Sequence, residues 1–229
     1  MNNESRTGVA RALSKLGYCS RSRARELIAS GRVRVQGKPV LDPEQPVWSD
    51  KTAIDVDGRP VRASKKIYMM VNKPRGLVTS AADEKGRATV YSLLSDDLPW
   101  VAPVGRLDKA SEGLLLMTND SEWAARIASP EEGVNKTYHV QIGAVATPEL
   151  LQKIQRGMRE LTGEMLRVRR VSVVRSGVRN SWLEIVLDEG KKRQIRRIMR
   201  GLGIEVLRLI RIGIGPIRLG DLAKGQWRS

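Results

Sequence analysis

Two short helices are predicted at the start of the chain from the spacing of its apolar residues. Val9, Leu13 and Leu16 recur at i, i+4 and i+7, which places them on one buried stripe of a helix. Gly17 stands where a left-handed residue commonly ends a helix. Ser20 is a suitable N-cap for a second helix. The apolar face of that second helix consists of Ala24, Leu27 and Ile28, and Gly31 follows its end.

After the second helix the sequence predicts a short strand, and arginines are concentrated on the helix and the strand. Residues 32–35 alternate polar and apolar side chains at period two, and residues 36–39 have the composition of a tight turn. Residues 21–34 contain five arginines and a single acidic residue, Glu26. A solvated surface explains any one of these arginines but not easily all five. The guanidinium groups predicted to face outward belong to Arg21, Arg23, Arg25, Arg32 and Arg34.

Beyond residue 66 the pattern changes to strands with few helices. Residues 62–66 are short, polar and unpatterned, which predicts a linker. Strands are predicted at 67–71, 114–118, 137–142, 166–174, 182–187 and 205–210. Helices are predicted from Asp120 or Ser121 to a point before Pro130, from Thr147 as N-cap to Gly157, and over 191–200. This irregular order predicts an α+β protein with a mixed, largely antiparallel sheet rather than a doubly wound one.

The charge of the chain is concentrated at its two ends. The formal net charge is +16, with nine basic and two acidic residues in 1–38 and eleven and two in 190–229, while the middle is balanced. Two basic blocks around a neutral centre indicate two surfaces that share one polyanion. Nucleic acid is the favoured partner. An acidic membrane surface is the less favoured alternative, because no segment resembles a basic amphipathic membrane helix.

The composition excludes several classes of protein. One Cys and one His are too few for an intramolecular disulfide or for a common zinc site. The longest aliphatic run, around 114–117, is far shorter than the roughly 18 residues that span a membrane. The first eight residues lack the apolar core of a secretory signal, and no dinucleotide or P-loop motif is present. We therefore expect a cytoplasmic protein that needs neither metal nor cofactor and does not bind a membrane.

The N-terminal residues resemble a known RNA-binding module. From about Arg6 to Pro60, and most clearly over 19–35, the sequence is similar to the S4 domain of ribosomal and RNA-modifying proteins. The resemblance implies an S4 domain at 1–61, the linker at 62–66 and a second, catalytic domain at 67–229.

The chemistry of that second domain is indicated by a polar loop that leads into a buried-looking strand. Residues 105–113 place Asp108 between Arg106 and Lys109, and nearby cations favour the charged form of a carboxylate. From spacing alone a plain turn is the alternative. As a pattern, however, the loop resembles the G-R-L-D signature of pseudouridine synthases. Four further segments match motifs of the same family: 136–138 its K-x-Y motif, 189–197 its E-G-x-x-R-Q-I-R-R segment, 209–215 its L-x-R-x-x-x-G motif, and 225–228 its tail.

The resemblance implies an activity and a set of site residues. It points to the branch that isomerises a specific uridine of ribosomal RNA, free or in a pre-ribosomal particle, with 23S favoured and 16S possible. Asp108 is then the essential carboxylate, and whether it attacks the sugar, adds to the base or removes a sugar proton stays open. Tyr138 is expected to stack on the uracil and to assist proton removal from carbon 5, and Leu209 to line the other side. Arg106 would fill the gap that an extruded base leaves.

The last predicted helix carries the remaining site residues. Its core stripe consists of Ile195, Ile198, Met199 and Leu202. Arg196 lies at the boundary of that stripe, and the motif match makes it the charge partner of Asp108. The expected contacts to RNA phosphates on the outer face are Lys192, Arg193, Arg197 and Arg200. His139 follows Tyr138 on a strand and therefore points to the opposite face, so we assign it no role.

A second class of protein also accounts for part of the pattern. A non-catalytic ribosome-binding or assembly factor built on an S4 domain would explain the charge, but it would leave the complete G-R-L-D loop unexplained. We expect a monomer in either case.

Overall fold

A computed structural model of the chain describes residues 6–48, 51–81, 85–95 and 97–229. Its N-terminal module packs two helices on small sheets. β3–β2–β5–β6 form a four-stranded antiparallel sheet, and β1 pairs with β4. The elements are β1 Thr7–Gly8, α1 Val9–Lys15, α2 Arg21–Ala29, β2 Val33–Val35, β3 Lys38–Pro39, β4 Pro46–Val47, β5 Ile54–Val56 and β6 Arg59–Pro60.

Local sequence signals account for this module. The hydroxyl of Ser20 accepts a hydrogen bond from the Arg23 amide, which is the predicted N-cap of α2. Gly17 has φ +74°, the left-handed conformation predicted for the end of α1. The apolar stripes of both helices meet the buried side chains of β2 and β5 in one cluster. The module therefore has a core of its own.

The rest of the chain is organised around one large mixed sheet. Its strand order is β13–β14–β10–β15–β9–β7–β17, with β16 beside β15 and β8 beside β9. The elements are β7 Tyr68–Lys73, a 3₁₀ helix Val90–Leu93, β8 Ala102–Pro103, β9 Glu112–Thr118, α3 Ser121–Ala128, β10 Lys136–Ile142, α4 Pro148–Arg156, β11 Met158–Arg159, β12 Met165–Leu166, β13 Arg170–Ser176, β14 Ser181–Leu187, α5 Gln194–Gly201, β15 Val206–Ile214, β16 Ile217–Arg218 and β17 Trp227–Arg228.

The sheet confirms the predicted α+β class. All of its pairings are antiparallel except that of β15 with β9. The buried side chains of β10, β14 and β15 pack with α4 and α5. β7 and β9 pack on one face with the 3₁₀ helix and on the other with α3. None of the helices in the described part of the chain is long and apolar enough to cross a membrane.

Two predicted elements differ from the structure. The single strand predicted at 166–174 is two strands, because Leu166 pairs with Met158 in a separate hairpin before the chain joins the sheet at Arg170. The helix predicted at 191–200 begins only at Gln194. Arg193 has φ +54°, so the residues before α5 form a turn rather than its first helical turn. The apolar stripe of α5 is buried as predicted.

Candidate active site

The loop between β8 and β9, residues 104–111, is held by hydrogen bonds from distant parts of the chain. The Thr79 hydroxyl donates to the carbonyl oxygen of Leu107 over 2.8 Å. The Gly76 amide donates to the carbonyl oxygen of Lys109 over 2.8 Å. Because these bonds hold the backbone on both sides of Asp108, the position of that residue is set by the fold rather than by the loop's own sequence.

A buried lysine lies behind this loop. Lys73, at the end of β7, is 0% exposed, and its ammonium donates to three carbonyl oxygens: Pro74 at 3.1 Å, Asp108 at 3.2 Å and Ser111 at 2.8 Å. Burial lowers the pKa of Lys73 to about 8, although the charges of Glu112 and Asp108 act in the opposite direction. The three bonds satisfy all three of its donors, which makes the residue a structural support of the loop.

The carboxylate of Asp108 is exposed at the mouth of a pocket of about 300 Å³. Within the described residues it forms no hydrogen bond or ion pair, so its oxygen lone pairs are available to a ligand. The backbone of the same residue is fixed, since its carbonyl oxygen accepts from both Lys73 and the Ser111 amide. A free carboxylate on a fixed backbone is an arrangement suited to a reactive group.

Neighbouring strands supply one wall of the pocket. Tyr138 on β10 lies directly opposite Arg211 on β15, and Val140 lies opposite Leu209. Residues opposite each other in an antiparallel pair, and residues two apart on a strand, project from the same face. Tyr138, Leu209 and Arg211 therefore share that face, and all three line the pocket with Asp108.

Arg211 is a site residue to which the sequence analysis assigned no role. It is 5% exposed, and its Nε donates to the carbonyl oxygen of Leu114 over 2.8 Å. Its Nη2 is buried without a hydrogen-bond partner. Buried polar groups without a partner are uncommon in native proteins, so this nitrogen is a donor that a ligand in the pocket can satisfy. The only sequence signal for this residue is its place in the L-x-R-x-x-x-G motif.

Arg196 reaches the loop but does not pair with the carboxylate of Asp108. Its guanidinium donates to the carbonyl oxygens of Ala110, at 3.1 Å, and Val206, at 3.4 Å. Burial lowers the pKa of Arg196, as does the nearby charge of Arg193, while Asp108 acts in the opposite direction. The expected direct ion pair is thus replaced by contacts to the loop backbone. The physical reason is that Arg196 extends from the edge of the apolar stripe of α5 and meets the backbone two residues after Asp108.

The basic residues around the pocket divide into free and paired groups. Arg106, Lys192 and Arg193 line the pocket, and Arg200 is exposed at the end of α5. Arg197 differs, because its guanidinium forms ion pairs with Glu160 and Glu164. Hydrogen bonds from Arg197 to these two carboxylates raise its pKa. The Arg197 side chain is therefore bound within the protein rather than presented to solvent.

The five arginines of the N-terminal module are all exposed, as their pattern predicts. Three of them pair with nearby acids: Arg23 with Glu26 at 2.8 Å, Arg25 with Glu44 at 3.1 Å, and Arg32 with Asp57 at 2.5 Å. Arg21 and Arg34 form no ion pair with the described residues. Exposed ion pairs with a single contact are weak, so an RNA phosphate can compete for Arg23 and Arg25, whereas Asp57 holds Arg32 through both Nε and Nη2.

A buried carboxylate joins the end of the loop to the last part of the chain. Glu112, at the start of β9, is 3% exposed and accepts from Nε and Nη2 of Arg208, both at 3.1 Å. Its other cation is Lys224, 2.6 Å away. Burial alone would raise the pKa of Glu112, but the hydrogen bonds from Arg208 and Lys224 outweigh it and hold the pKa below its usual value. This pairing was not expected from the sequence.

The single histidine of the chain is placed away from the pocket. His139 lies 3.9 Å from Glu184 on the other face of β10 and does not line the pocket. Across residues 6–48, 51–81, 85–95 and 97–229, no three His, Cys, Asp or Glu side chains are grouped closely enough to hold a metal ion.

A basic N-terminal module beside a pocket with one free carboxylate, an aromatic wall and several cations defines an enzyme that acts on RNA. Comparison with family models identifies the family of this enzyme. Residues 67–200 match the RNA pseudouridylate synthase family, and residues 9–48 match the S4 domain. The chain therefore belongs to the RNA pseudouridine synthase family and is an isomerase with an N-terminal S4 domain.

Individual relatives match over nearly the full chain. A protein described as an uncharacterized RNA pseudouridine synthase of Aquifex aeolicus is 37% identical over 96% of this chain and 89% of its own. The ribosomal large subunit pseudouridine synthase B of Bacillus subtilis is 32% identical over 96% of this chain and 91% of its own. A solved pseudouridylate synthase structure is 26% identical and covers 97% of this chain and 95% of its own, with a TM-score of 0.65.

Proposed function

We propose that this protein converts one specific uridine of ribosomal RNA to pseudouridine, with 23S RNA as the favoured substrate and Asp108 as the essential carboxylate. The observation that carries the proposal is the state of Asp108, whose backbone is fixed by Lys73 while its carboxylate lines the pocket without a partner among the described residues. The preference for 23S RNA is supported by the similarity to the Bacillus subtilis ribosomal large subunit enzyme. We further propose a monomer in the cytoplasm, where ribosomal RNA is found, with domain limits 1–61, 62–66 and 67–229.

The reaction is balanced without an external reagent. The bond between N1 of uracil and C1′ of ribose breaks, the base turns, a bond between C5 and C1′ forms, and the proton lost from C5 is matched by one gained at N1. An ionised carboxylate at the pocket mouth can act on the sugar or the base during the transfer. The base has to stay in the pocket while it is detached.

Residues of the pocket wall can hold the detached base. Tyr138 offers an aromatic surface for the uracil and a hydroxyl for the proton on C5, and Leu209 offers an apolar surface beside it. The unpaired Nη2 of Arg211 is a donor for a uracil carbonyl oxygen. Arg196 positions the loop through Ala110, and Arg106 at the pocket rim takes the place of the extruded base in the RNA.

The RNA backbone is held by cations outside the pocket. In the catalytic domain we assign this role to Lys192 and Arg193, which line the pocket, and to Arg200, which is exposed at the end of α5; their side chains form no ion pair with the described residues. In the S4 domain we assign it to Arg21, Arg23, Arg25, Arg32 and Arg34. Arg197 is left out of the assignment because two carboxylates neutralise it.

The test is to map pseudouridine in RNA treated with defined variants. Unmodified 23S and 16S transcripts are incubated with wild type, Asp108→Asn and, as a matched control, Asp55→Asn in the S4 domain, and the products are mapped by carbodiimide treatment and primer extension. We expect one new stop in 23S RNA with wild type and control, and none with Asp108→Asn, while filter binding of the RNA is the same for all three.

Other outcomes would change the proposal in definite ways. Equal modification by Asp108→Asn would remove Asp108 from the mechanism, and a stop in 16S instead of 23S would correct the substrate. If wild type binds both RNAs and modifies neither, the alternative of a non-catalytic S4-domain assembly factor is the better account.

A further inference from the structure

A groove of about 650 Å³ runs between the S4 domain and the catalytic domain and borders the active-site pocket. Its S4 side is formed by the outer residues of α1 and by the start of α2, and its other side by α3 and the segment around β8. Val104, Gly105 and Ala128 line both the groove and the pocket that holds Asp108. The two spaces therefore border each other at these three residues.

The two sides of the groove are held together by the predicted linker. The amide of Ser64 donates to the carbonyl oxygen of Leu16 over 2.9 Å. The amide side chain of Asn119, 2% exposed, accepts from Ile67 and donates to the carbonyl oxygen of Lys65. Gly17 packs so closely on this point that a Cβ there would lie 3.1 Å from Asn119. The groove is thus a built feature of the fold.

Basic groups line the S4 side of the groove. Arg11 and Arg21 are exposed and form no hydrogen bond or ion pair through their guanidinium groups with any residue that the structure describes. Lys15 pairs at 3.3 Å with Glu122, the one acidic side chain among the described residues that line the groove. The described lining therefore carries an excess of positive charge and suits an anionic occupant.

The opposite side of the groove contributes apolar surface beside Glu122. Ala124, Ala125 and Ala128 of α3 and the half-buried Trp100 are part of this lining. Cations along one side and an aromatic surface on the other form the combination that binds single-stranded nucleic acid, with phosphates on the cations and bases on the ring. A duplex has no unstacked bases to place on such a surface.

We propose that this groove binds the unpaired nucleotides next to the target uridine in the same RNA strand. The assignment to that strand rests on the proposed function, because the nucleotides on either side of a base that is extruded into the pocket have to lie on the surface that borders the pocket. In this arrangement Arg11 and Arg21 contact the flanking phosphates, and Trp100 stacks on a flanking base. The groove thereby contributes to the choice of the target uridine.

The binding test uses a twelve-nucleotide oligouridylate and a twelve-base-pair RNA duplex as probes for the full-length protein. The charge variant is Arg11→Gln with Arg21→Gln, and its matched control is Arg62→Gln with Arg179→Gln, two exposed arginines that do not line the groove. For oligouridylate we expect about a tenfold loss of affinity in the charge variant, and a fall of about 1.4 in the magnitude of the slope of log K against log salt. The control should match wild type.

The aromatic contact is tested separately. Trp100→Leu keeps an apolar side chain but removes the ring, so we expect about a tenfold loss of affinity for oligouridylate, within the range of one lost base stack. Affinity for the duplex should be unchanged. Equal losses for the duplex and the single strand would overturn the assignment to unpaired RNA.

A cross-link places the flanking nucleotide directly. In the 23S RNA that wild type modifies, 4-thiouridine is introduced next to the mapped site, and irradiation should join it to the peptide that contains Trp100. The proposal would be overturned if cross-links formed only with other peptides, or if the groove variants bound oligouridylate as well as the control does. In either case, pseudouridine formation by wild type would leave the proposed function intact. If wild type forms no pseudouridine in either RNA, the proposed function fails, and with it the assignment of the groove to the target strand.

Discussion

The ammonium of Lys73 donates a hydrogen bond to the backbone carbonyl oxygen of Asp108 over 3.2 Å. One residue of this pair is fully buried, and the other presents its carboxylate to solvent. The buried cation therefore supports the proposed catalytic residue through the backbone and leaves its side chain free to react.

Replacing this support should reduce catalysis more than RNA binding. Lys73→Met keeps the length and the apolar stem of the side chain but removes the Lys73 donor from the carbonyl oxygens of Pro74 and Ser111, and leaves that of Asp108 with the Ser111 amide alone. We expect the free energy of unfolding to fall by about 2–4 kcal/mol, together with a large loss of kcat and a small change in RNA affinity. Denaturant unfolding and single-turnover modification assays measure these quantities. A variant with normal kcat would show that the loop holds Asp108 without Lys73.

The same lysine predicts a pH dependence of catalysis. Because burial lowers the pKa of Lys73 to about 8, the ammonium loses a proton as the pH rises through that value, and one of its three hydrogen bonds is lost. We expect kcat to decline above about pH 8 while RNA affinity stays constant. The Lys73→Met variant, which has nothing to titrate at this position, should lack this decline; if it declines in the same way, another group is responsible.

Arg211 should be required for turnover rather than for folding. Its buried Nη2 has no partner in the part of the protein that the structure describes, so a substrate atom that accepts from it gains a desolvated, charge-assisted hydrogen bond. We expect Arg211→Lys to lower kcat/KM by about a hundredfold, a loss of close to 2.7 kcal/mol in transition-state stabilisation. Arg218→Lys, an exposed arginine beyond the end of the same strand, serves as control. Equal kcat/KM for both variants would contradict the assignment.

Arg197 and Arg200 lie on the same helix but should behave in opposite ways. Arg197 is paired with Glu160 and Glu164, so Arg197→Gln should lower the Tm and leave the salt dependence of RNA binding unchanged. Arg200 is exposed, so Arg200→Gln should leave the Tm unchanged and reduce the magnitude of the salt slope by about 0.7–0.9. Thermal unfolding and salt titrations of RNA binding separate the two. A reduced salt slope in Arg197→Gln would restore that residue to the RNA surface.

Glu112 should stabilise the protein in a pH-dependent way. Its pKa is held below the usual carboxyl value, so its contribution is fully present above the unfolded pKa of about 4.3 and is lost as the pH falls through the lower folded pKa. We expect Glu112→Gln to cost about 1–2 kcal/mol at pH 7, and the difference from wild type to shrink below about pH 4. Urea unfolding of both proteins at several pH values measures this difference in the free energy of unfolding. A difference that is constant with pH would mean that the charge of Glu112 is not what stabilises the fold.

Local signals in the sequence were sufficient for most of the elements. The N-cap at Ser20 and the helix that runs from Thr147 to Gly157 depend on residues within one turn, and both are where their patterns predict. The predicted strand at 166–174 is divided, and α5 begins later than predicted, because the pairing of Leu166 with Met158 and the turn at Arg193 are decided by neighbours elsewhere in the fold.

The site shows the same division more sharply. The sequence by itself determined the α+β class, the two basic ends of the chain and the family, because these follow from periodicity, charge and contiguous motifs. It also predicted a site with Asp108, Tyr138 and Leu209; the structure places all three in one pocket, and their roles stay predictions. Only the tertiary structure decided that Lys73 supports Asp108, that Arg196 meets the loop backbone, that Arg197 is neutralised, and that Arg211 faces the pocket with a free donor. The physical reason is that a side chain's charge and donors are known from the sequence, whereas their partners lie tens of residues away and are chosen by packing.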